Sequence, residues 1–346
     1  MPSRALIFLF FLAFLVAPTS LATIFPGFLP SAALAQNERA GLTVYTALGA
    51  TTAQLPLLGA LEMGWPEGRE VKVEYWKTLE DLRVMALAGK GEVWVGHMET
   101  LARAAARGAP VSLLAVTAWR KFYFVCPPLP DGDGGEAWPE TVAGLLELAS
   151  KNNLTVTSAP QNSPAGEFLA RLNNLDPPFP TEALPPQQLA LELIRERRLI
   201  GLLPEPLATS AVLKNPRLKI IGSLEEEYGR VTGGPGMLPQ AGVAVNINFF
   251  QDDPESPKKL LALMTAAVED FGGDPGKMLG TLPAEARETL GDDVILASLA
   301  VEPMIIRSAE SSEQEILDYL AVAVADLFES GRRLPETFIW KEPEGR

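Results

Sequence analysis

Twice along its length this chain alternates short apolar runs of strand character with stretches of helical period, and a Pro/Gly-rich break separates the two series. No other feature restricts the fold as strongly. The first series reads strand 42–46, a Gly-containing turn, a helix carrying Leu55, Leu58 and Leu61 at helical spacing, and strand 71–76. A helix entered by the capping-box pair Thr78/Asp81 and ended by Gly89 follows, then strand 92–95, helix 99–107, and strands 111–116 and 121–126. Thr51 or Thr52 is expected to cap the first helix, where Pro56 is tolerable only near the first turn. Strands separated by helices call for largely parallel sheets with helices on their faces, so the fold class is α/β.

Residues 127–139 shift to Pro, Asp and Gly, the composition of a surface loop and a plausible change of domain. The second series runs helix 140–150, strand 154–157, a helix entered by Ser163-Pro164, helix 186–198, strand 199–203 and strand 218–221. A second Gly/Pro loop, 233–236, precedes strand 242–246, and the chain from Pro254 onward is mostly helical. Two α/β units, each opening at the carboxyl ends of its strands, would hold a ligand between them.

The 346 residues suit about two domains of roughly 150 residues each. With 29 Lys+Arg against 43 Asp+Glu the net charge is -14, which argues against nucleic acid or an anionic membrane surface as partner. One Cys excludes an internal disulfide, and Cys126 with His97 cannot close a four-ligand zinc site, so no metal and no cofactor is expected. Cys126 sits in the run 122–126 and reads as a buried structural thiol. Residues 1–35 are a separate object. No charge occurs between Ala5 and Asn37, the apolar core 6–16 follows Arg4, and Ala33-Leu-Ala35 has the small-x-small form of a signal-peptidase site. That core is shorter than the roughly 20 residues a bilayer span requires. Cleavage after Ala35 is expected, which removes Arg4 and no acid and leaves an exported, soluble chain one charge more negative, with no further span.

The segment Leu87-Ala-Gly-Lys-Gly-Glu-Val-Trp-Val-Gly96, the following small-residue helix and Gly108-Ala-Pro110-Val resemble the solute-binding proteins of ABC importers, in the nitrate/sulfonate/taurine and thiamine-precursor branch. Ile200-Gly-Leu-Leu-Pro-Glu205-Pro206-Leu-Ala-Thr209 is similar to that branch's second-domain segment, and the likeness covers about residues 41 to 330. Glu92, where Asp is common, and Gly96-His-Met-Glu99 depart from the pattern. The resemblance implies a type 2 periplasmic-binding-protein fold of two lobes, 41–124 plus 240–346 and 125–239, each a mostly parallel sheet flanked by helices. The crossover strands would be 122–126 and 243–247. It also implies hinge closure on a ligand, which requires no covalent chemistry.

Candidate ligand contacts lie at strand ends. The turn holding Thr51 and Thr52 offers hydroxyls and free N–H groups to an anion, although a simple N-cap explains either residue equally well. Its counterpart in the second series holds Ser158, Asn162 and Ser163, the last also a natural cap. Glu205, between two prolines, could face a ligand or bond amides of its own loop. His97 follows a strand and a glycine, a position from which a ring can reach the cleft and titrate. Glu99 reads as a first-turn acid. Trp76 and Trp119 end strands and could form an aromatic wall or simply pack in the core. Lys77 and Arg120 are the cations expected at strand ends, so an anion would rest chiefly on dipoles, and a neutral or zwitterionic ligand fits as well. Taken together, the expectation is a monomeric periplasmic protein that binds a small organic or oxoanionic molecule for an ABC permease and has no catalytic residues. The alternatives are an enzyme on the same fold, akin to thiamine-pyrimidine synthases, and a ligand-sensing module for a membrane sensor.

Overall fold

In the computed structural model, which describes residues 41–48, 52–65, 68–130, 135–174, 178–197, 200–272 and 274–342, the chain builds two main sheets and a small hairpin. The leader and Thr51 lie outside the described residues. The first run comprises β1 (Leu42–Ala47), α1 (Leu55–Glu62), β2 (Val71–Trp76), α2 (Leu79–Leu87), β3 (Val93–His97), α3 (Met98–Ala105) and β4 (Val111–Ala118). A crossover leads to β5 (Phe122–Cys126), the hairpin β6 (Leu129–Pro130) and β7 (Glu136–Ala137), α4 (Val142–Lys151), β8 (Val156–Ser158) and α5 (Pro164–Asn173). Next come β9 (Thr181–Ala183), α6 (Pro186–Ile194), β10 (Ile200–Pro204), α7 (Leu207–Lys214), β11 (Lys219–Ser223) and α8 (Leu224–Thr232). The chain returns as β12 (Ala241–Asn246). It ends in α9 (Glu255–Gly272), α10 (Pro275–Thr281), α11 (Ala284–Leu290), α12 (Asp292–Val301), β13 (Arg307–Ser308), α13 (Glu313–Ala323) and α14 (Ala325–Glu329).

One sheet has the order β2-β1-β3-β12-β4-β13 and the other β9-β8-β10-β5-β11. Leaving aside the short edge strand β13, one strand in each sheet runs against its neighbours: β12 between β3 and β4, and β5 between β10 and β11. These two strands are the ones reached by crossing from the other sheet. Parallel strands all end on the same side, so a chain arriving from that side must run back away from it. The register places these ends together, with Phe122 opposite Pro204 in one sheet and Ala241 opposite both His97 and Ala118 in the other. Each sheet with its helices is a lobe, and the carboxyl ends of the parallel strands meet at the seam between the lobes.

Period-2 burial makes the first sheet two-sided. Val93 and Val95 pack with Leu57, Leu260 and Met264, whereas Trp94 between them packs with Leu82 and Leu101. The central strands β4 and β12 are buried along their whole length, as strands covered on both faces must be. The cluster that holds Trp94 continues across the seam through Met98, Tyr319 and Phe168 to Phe124 and Leu202. Cys126 is part of this core, and burial pushes its thiol up to about 12.

Local expectations hold where the partners are near in sequence. Thr78 accepts from the Asp81 N–H at 3.1 Å and Asp81 accepts from the Thr78 N–H at 2.9 Å, which completes the capping box of α2. Helix α1 differs: it begins after Gln54, which makes no side-chain cap, and the Thr52 hydroxyl bonds elsewhere. Glu92 has a structural role, accepting from the Thr43 N–H at 2.6 Å and fixing the start of β1. Among the described residues no helix is long and apolar enough to cross a membrane.

Candidate functional site

The two crossovers lie side by side at the seam, because Leu238 and Gln240 donate their N–H groups to Trp119 and Ala118 carbonyls, each at 2.9 Å. Against them sits Glu225, in the first turn of α8 and fully buried. Its Oε1 accepts from the N–H groups of Lys121 at 2.8 Å and Phe122 at 3.2 Å, and from the Gln240 amide at 3.3 Å. A single carboxylate of the second lobe thereby ties both crossovers. The Gln240 carbonyl oxygen accepts from the Tyr319 hydroxyl at 3.1 Å, and that hydroxyl also bonds Glu99 Oε1. One phenolic proton cannot serve two acceptors. The chain closes when Glu99 carries a proton and donates it to Tyr319. Burial raises Glu99 to about 7 against the opposing pull of the Tyr319 bond and Arg103, and raises Glu225 to about 7 despite its backbone donors.

On the other side of Glu225 lies a second group of buried acids. Glu302, just past α12, accepts from Thr52 Oγ1 at 2.5 Å, and burial raises its carboxyl while Lys121 opposes the rise. Glu205 accepts from Thr209 Oγ1 at 2.8 Å and from the Thr209 N–H at 3.3 Å, so its oxygens serve the start of its own helix α7. Its N–H donates to the Lys121 carbonyl at 2.9 Å, and burial raises its pKa. His97 ends β3 at the seam, half-buried, and its ring has no hydrogen bond among the described residues. Burial and the nearby Lys121 ammonium push its pKa down to about 4, which keeps it neutral near pH 7. Lys121 is the cation of this group. It is half-buried, and its ammonium makes no hydrogen bond or ion pair among the described residues. The expected strand-end cations lie elsewhere: Lys77 is exposed, and Arg120 pairs with Glu226 at 2.6 Å.

The remaining expected contacts are placed as follows. Trp76 is a core residue whose indole N–H donates to the Val95 carbonyl at 2.9 Å. Trp119 is buried, its indole nitrogen has no partner among the described residues, and the Arg307 guanidinium lies 4.8 Å from its ring centre. Ser158 donates to the Ala159 carbonyl at 2.9 Å, and Ser163 caps α5 by accepting from the Gly166 N–H at 3.3 Å. Gly166 is required there, because a Cβ would overlap the Pro160 carbonyl. Asn162 is exposed in the same turn. Ser158 borders a depression of about 270 Å³ built from β8, β9, α5 and the turn before it, with no residue of the first lobe.

Glu225, Glu302, Gln240 and Lys121 escape a sequence reading. Glu225 is one of three consecutive glutamates in a helix first turn, and nothing local distinguishes the one that is fully buried. Lys121 reads as the first residue of a strand. Among the described residues no group of three or more His, Cys, Asp and Glu side chains is arranged to hold a metal. A larger hollow of about 570 Å³ opens at the far end of the first sheet, lined by Ser112, Val245, Phe250 and Trp340. It touches neither the seam nor the second lobe. A smaller cavity of about 180 Å³ lies on the seam, lined by both lobes and the second crossover.

No protein-family model matches the chain, and no curated protein matches it in sequence. Solved structures do match in fold. An ABC transporter from Parabacteroides distasonis superposes with a TM-score of 0.68 at 14% identity, over 87% of this chain and 99% of that one. The periplasmic aliphatic sulphonate binding protein SsuA from Escherichia coli gives 0.62 at 14% identity, over 88% and 94%. A Candida albicans gene product described as exhibiting the generic periplasmic binding protein structural fold gives 0.52 at 11% identity, over 88% and 97%. The chain has the periplasmic-binding-protein fold, as its motifs imply.

Proposed function

We propose that the protein is an extracytoplasmic solute-binding protein that captures a small organic or oxoanionic ligand at the seam between its lobes and passes it to an ABC permease. Two sheets with facing carboxyl ends, joined by adjacent crossovers and lined there by buried polar groups from both lobes, carry this reading. The neighbours in fold named as an ABC transporter and a sulphonate binding protein support it. In this reading the lobes are residues 41–124 with 240–346, and 125–239. The leader is cleaved after Ala35, and the mature chain works as a monomer in the periplasm.

Binding and release leave the ligand unchanged. The buried Cys126 thiol, held far from thiolate formation, and the neutral His97 ring, unbonded among the described residues, support a role without turnover. Thr52, His97, Lys121 and Glu302 form the part of the seam that an acidic ligand group would meet, with the Lys121 ammonium as its charge partner.

Solution scattering of the mature chain against a broad metabolite panel tests the proposal. At least one compound is expected to shrink the radius of gyration, and native mass spectrometry of protein purified from its own periplasm is expected to show the same compound bound. A panel that leaves the radius unchanged, together with a ligand-free native spectrum, overturns it. Conversion of a bound compound to product overturns the part that excludes catalysis.

A further inference from the structure

One chain of hydrogen bonds crosses the seam from lobe to lobe, and it is one proton short. It runs from Glu99 of α3 to the Tyr319 hydroxyl of α13, on to Gln240 of the second crossover, and ends on Glu225 of α8. Each of its three links needs one hydrogen. Tyr319 has one to give, and the Gln240 amide, whose oxygen faces Tyr319 and whose nitrogen faces Glu225, can donate toward one side only. Turning that amide over moves the gap to the other end without closing it. The third hydrogen has to come from a carboxyl group, Glu99 in one arrangement and Glu225 in the other. The intact chain therefore holds a proton that its separated members do not need.

Packing of one lobe on the other keeps water from this chain. Phe168 of α5, in the second lobe, stacks on Tyr319 with ring centres 5.4 Å apart, and Tyr228 meets Phe168 edge-on at 4.9 Å. Tyr319 and Glu225 both line the seam cavity of about 180 Å³, whose walls come from both lobes. Parting α5 from α13 brings water to the Tyr319 hydroxyl and to the two acids it links. A hydrated carboxyl has lost its proton near pH 7.

The charges around the chain are few, and most are paired. Arg103, on the same helix as Glu99, is held by Asp326 at 2.5 Å, and Arg83 of α2, which packs on α3, pairs with Glu80 at 2.5 Å. The strands β3, β4 and β12, also packed on α3, bring only His97. Helix α13 brings Glu315 and Asp318, bonded to Arg307 and Gln314. Beside Glu225, Arg120 pairs with Glu226 and Arg230 with Glu227. Of the elements packed on α8, α5 carries Glu167 and the exposed Arg171, β11 the exposed Lys219, and β5 Tyr123. Glu205, Glu302 and Lys121 lie on the far side of Glu225. His97, Glu205 and Glu302 titrate at the same seam, so the chain is isolated only by a comparison that leaves them unchanged.

We infer that this chain is a proton-operated latch: the lobes close by taking up one proton into the link from Glu99 through Tyr319 and Gln240 to Glu225, and losing that proton favours the open form. The inference rests on the reading of the seam as the capture site and adds its regulation. A proton held by the closed form and not by the open one acts as a ligand of the closed form, so acid surroundings favour closure and alkaline surroundings favour release.

Single-molecule fluorescence transfer tests this on the mature, ligand-free chain, with dyes on Lys77→Cys in the first lobe and Asn162→Cys in the second, both exposed positions. The buried Cys126 thiol stays unlabelled. Glu99→Gln supplies the third hydrogen from its own amide at every pH and leaves His97, Glu205 and Glu302 in place. Relative to that variant, the closed-to-open ratio of the parent is expected to fall about tenfold per pH unit as pH rises from about 5 to about 7, and to level off above. Glu225→Gln supplies the same hydrogen from the other end, keeps an oxygen for the crossover N–H groups and should behave like Glu99→Gln, so a folding defect in one variant does not hide the answer. A parent whose lobe distance stays the same across that range, or whose ratio runs parallel to that of the folded variants, overturns the inference. A panel compound that closes the lobes while parent and variants run parallel overturns it too and leaves the capture role standing. A parent that departs from the variants as expected while no panel compound binds upholds the latch and counts against capture.

Discussion

The two lobes use one local device in opposite ways. Each presents a strand, a hydroxyl-bearing turn and a helix at the seam. In the second lobe the turn satisfies itself: Ser158 bonds the next carbonyl and Ser163 caps the helix that follows it. In the first lobe Thr52 caps nothing and bonds Glu302, 250 residues away. The difference teaches that a turn whose hydroxyls are spent locally is finished by its own sequence. One whose hydroxyl is spent at long range depends on the lobe being complete. The long helical run after β12 is what completes the first lobe, and it also supplies Tyr319 and Glu302 to the seam.

The comparison can be broken at four points, and the largest effect is expected where the lobes are joined. Phe168 belongs to the second lobe but stacks on Tyr319 of the first, so Phe168→Ala should cost about 3–5 kcal/mol in denaturant unfolding. A single cooperative transition at lower denaturant would mean that the lobes fold as one unit; two resolved transitions would mean that they are energetically separate. Thr52→Val removes a donor to Glu302 Oε1 and should cost about 1–3 kcal/mol, because a buried acid is left with fewer partners. A cost below that of a simple helix cap would break the contrast between the turns.

The acids at the seam set the third expectation. Glu99 and Glu225 sit near 7 in the fold against 4.5 unfolded, so the fold keeps protons that the unfolded chain has released. Their contribution is complete below about pH 4.5 and is lost as pH rises through about 7, by about 1.4 kcal/mol per pH unit for each group inside that window. His97 opposes them. It is held near 4 against 6.5 unfolded, so its contribution is present above 6.5 and lost as pH falls through about 4. Two acids outweigh one imidazole, and stability should fall between pH 5 and 6.5 in chemical denaturation. A Glu99→Gln, Glu225→Gln double variant should lessen that fall, with Glu205 and Glu302, also raised by burial, still acting in its direction. Rising stability in the parent over the same range would show both acids ionised in the fold. The smallest effect belongs to the self-contained turn: Ser163→Ala should cost about 1 kcal/mol, the ordinary value of an N-cap, with no change in ligand affinity.

Much of the fold is legible in the residue pattern, for a physical reason that also marks its limit. Capping boxes, Pro at the first helical turn and period-2 runs act over a few residues, so Thr78/Asp81, Ser163-Pro164 and β1 to β4 stand out in the chain itself. The seam is different. Of Glu225, Glu226 and Glu227 only the first is fully buried, and the choice is made by where α8 meets the crossovers. Arg120 and Lys121 are adjacent cations, yet one turns to Glu226 and the other, unpaired among the described residues, stands beside His97 and Glu302. Trp76 and Trp119 are strand-end aromatics with the same local signature, and packing makes both of them core.

By itself the sequence determined the alternation that forces an α/β fold, the places where the chain changes sheets, and a scarcity of thiol and imidazole suited to binding rather than reaction. Only the tertiary structure decided which polar side chains meet. Hydrogen bonds such as Thr52 to Glu302 and Lys121 to Glu225 join residues far apart in the chain. Their cost when unmade is set by burial, and burial exists only after both sheets, both crossovers and the late helices have come together.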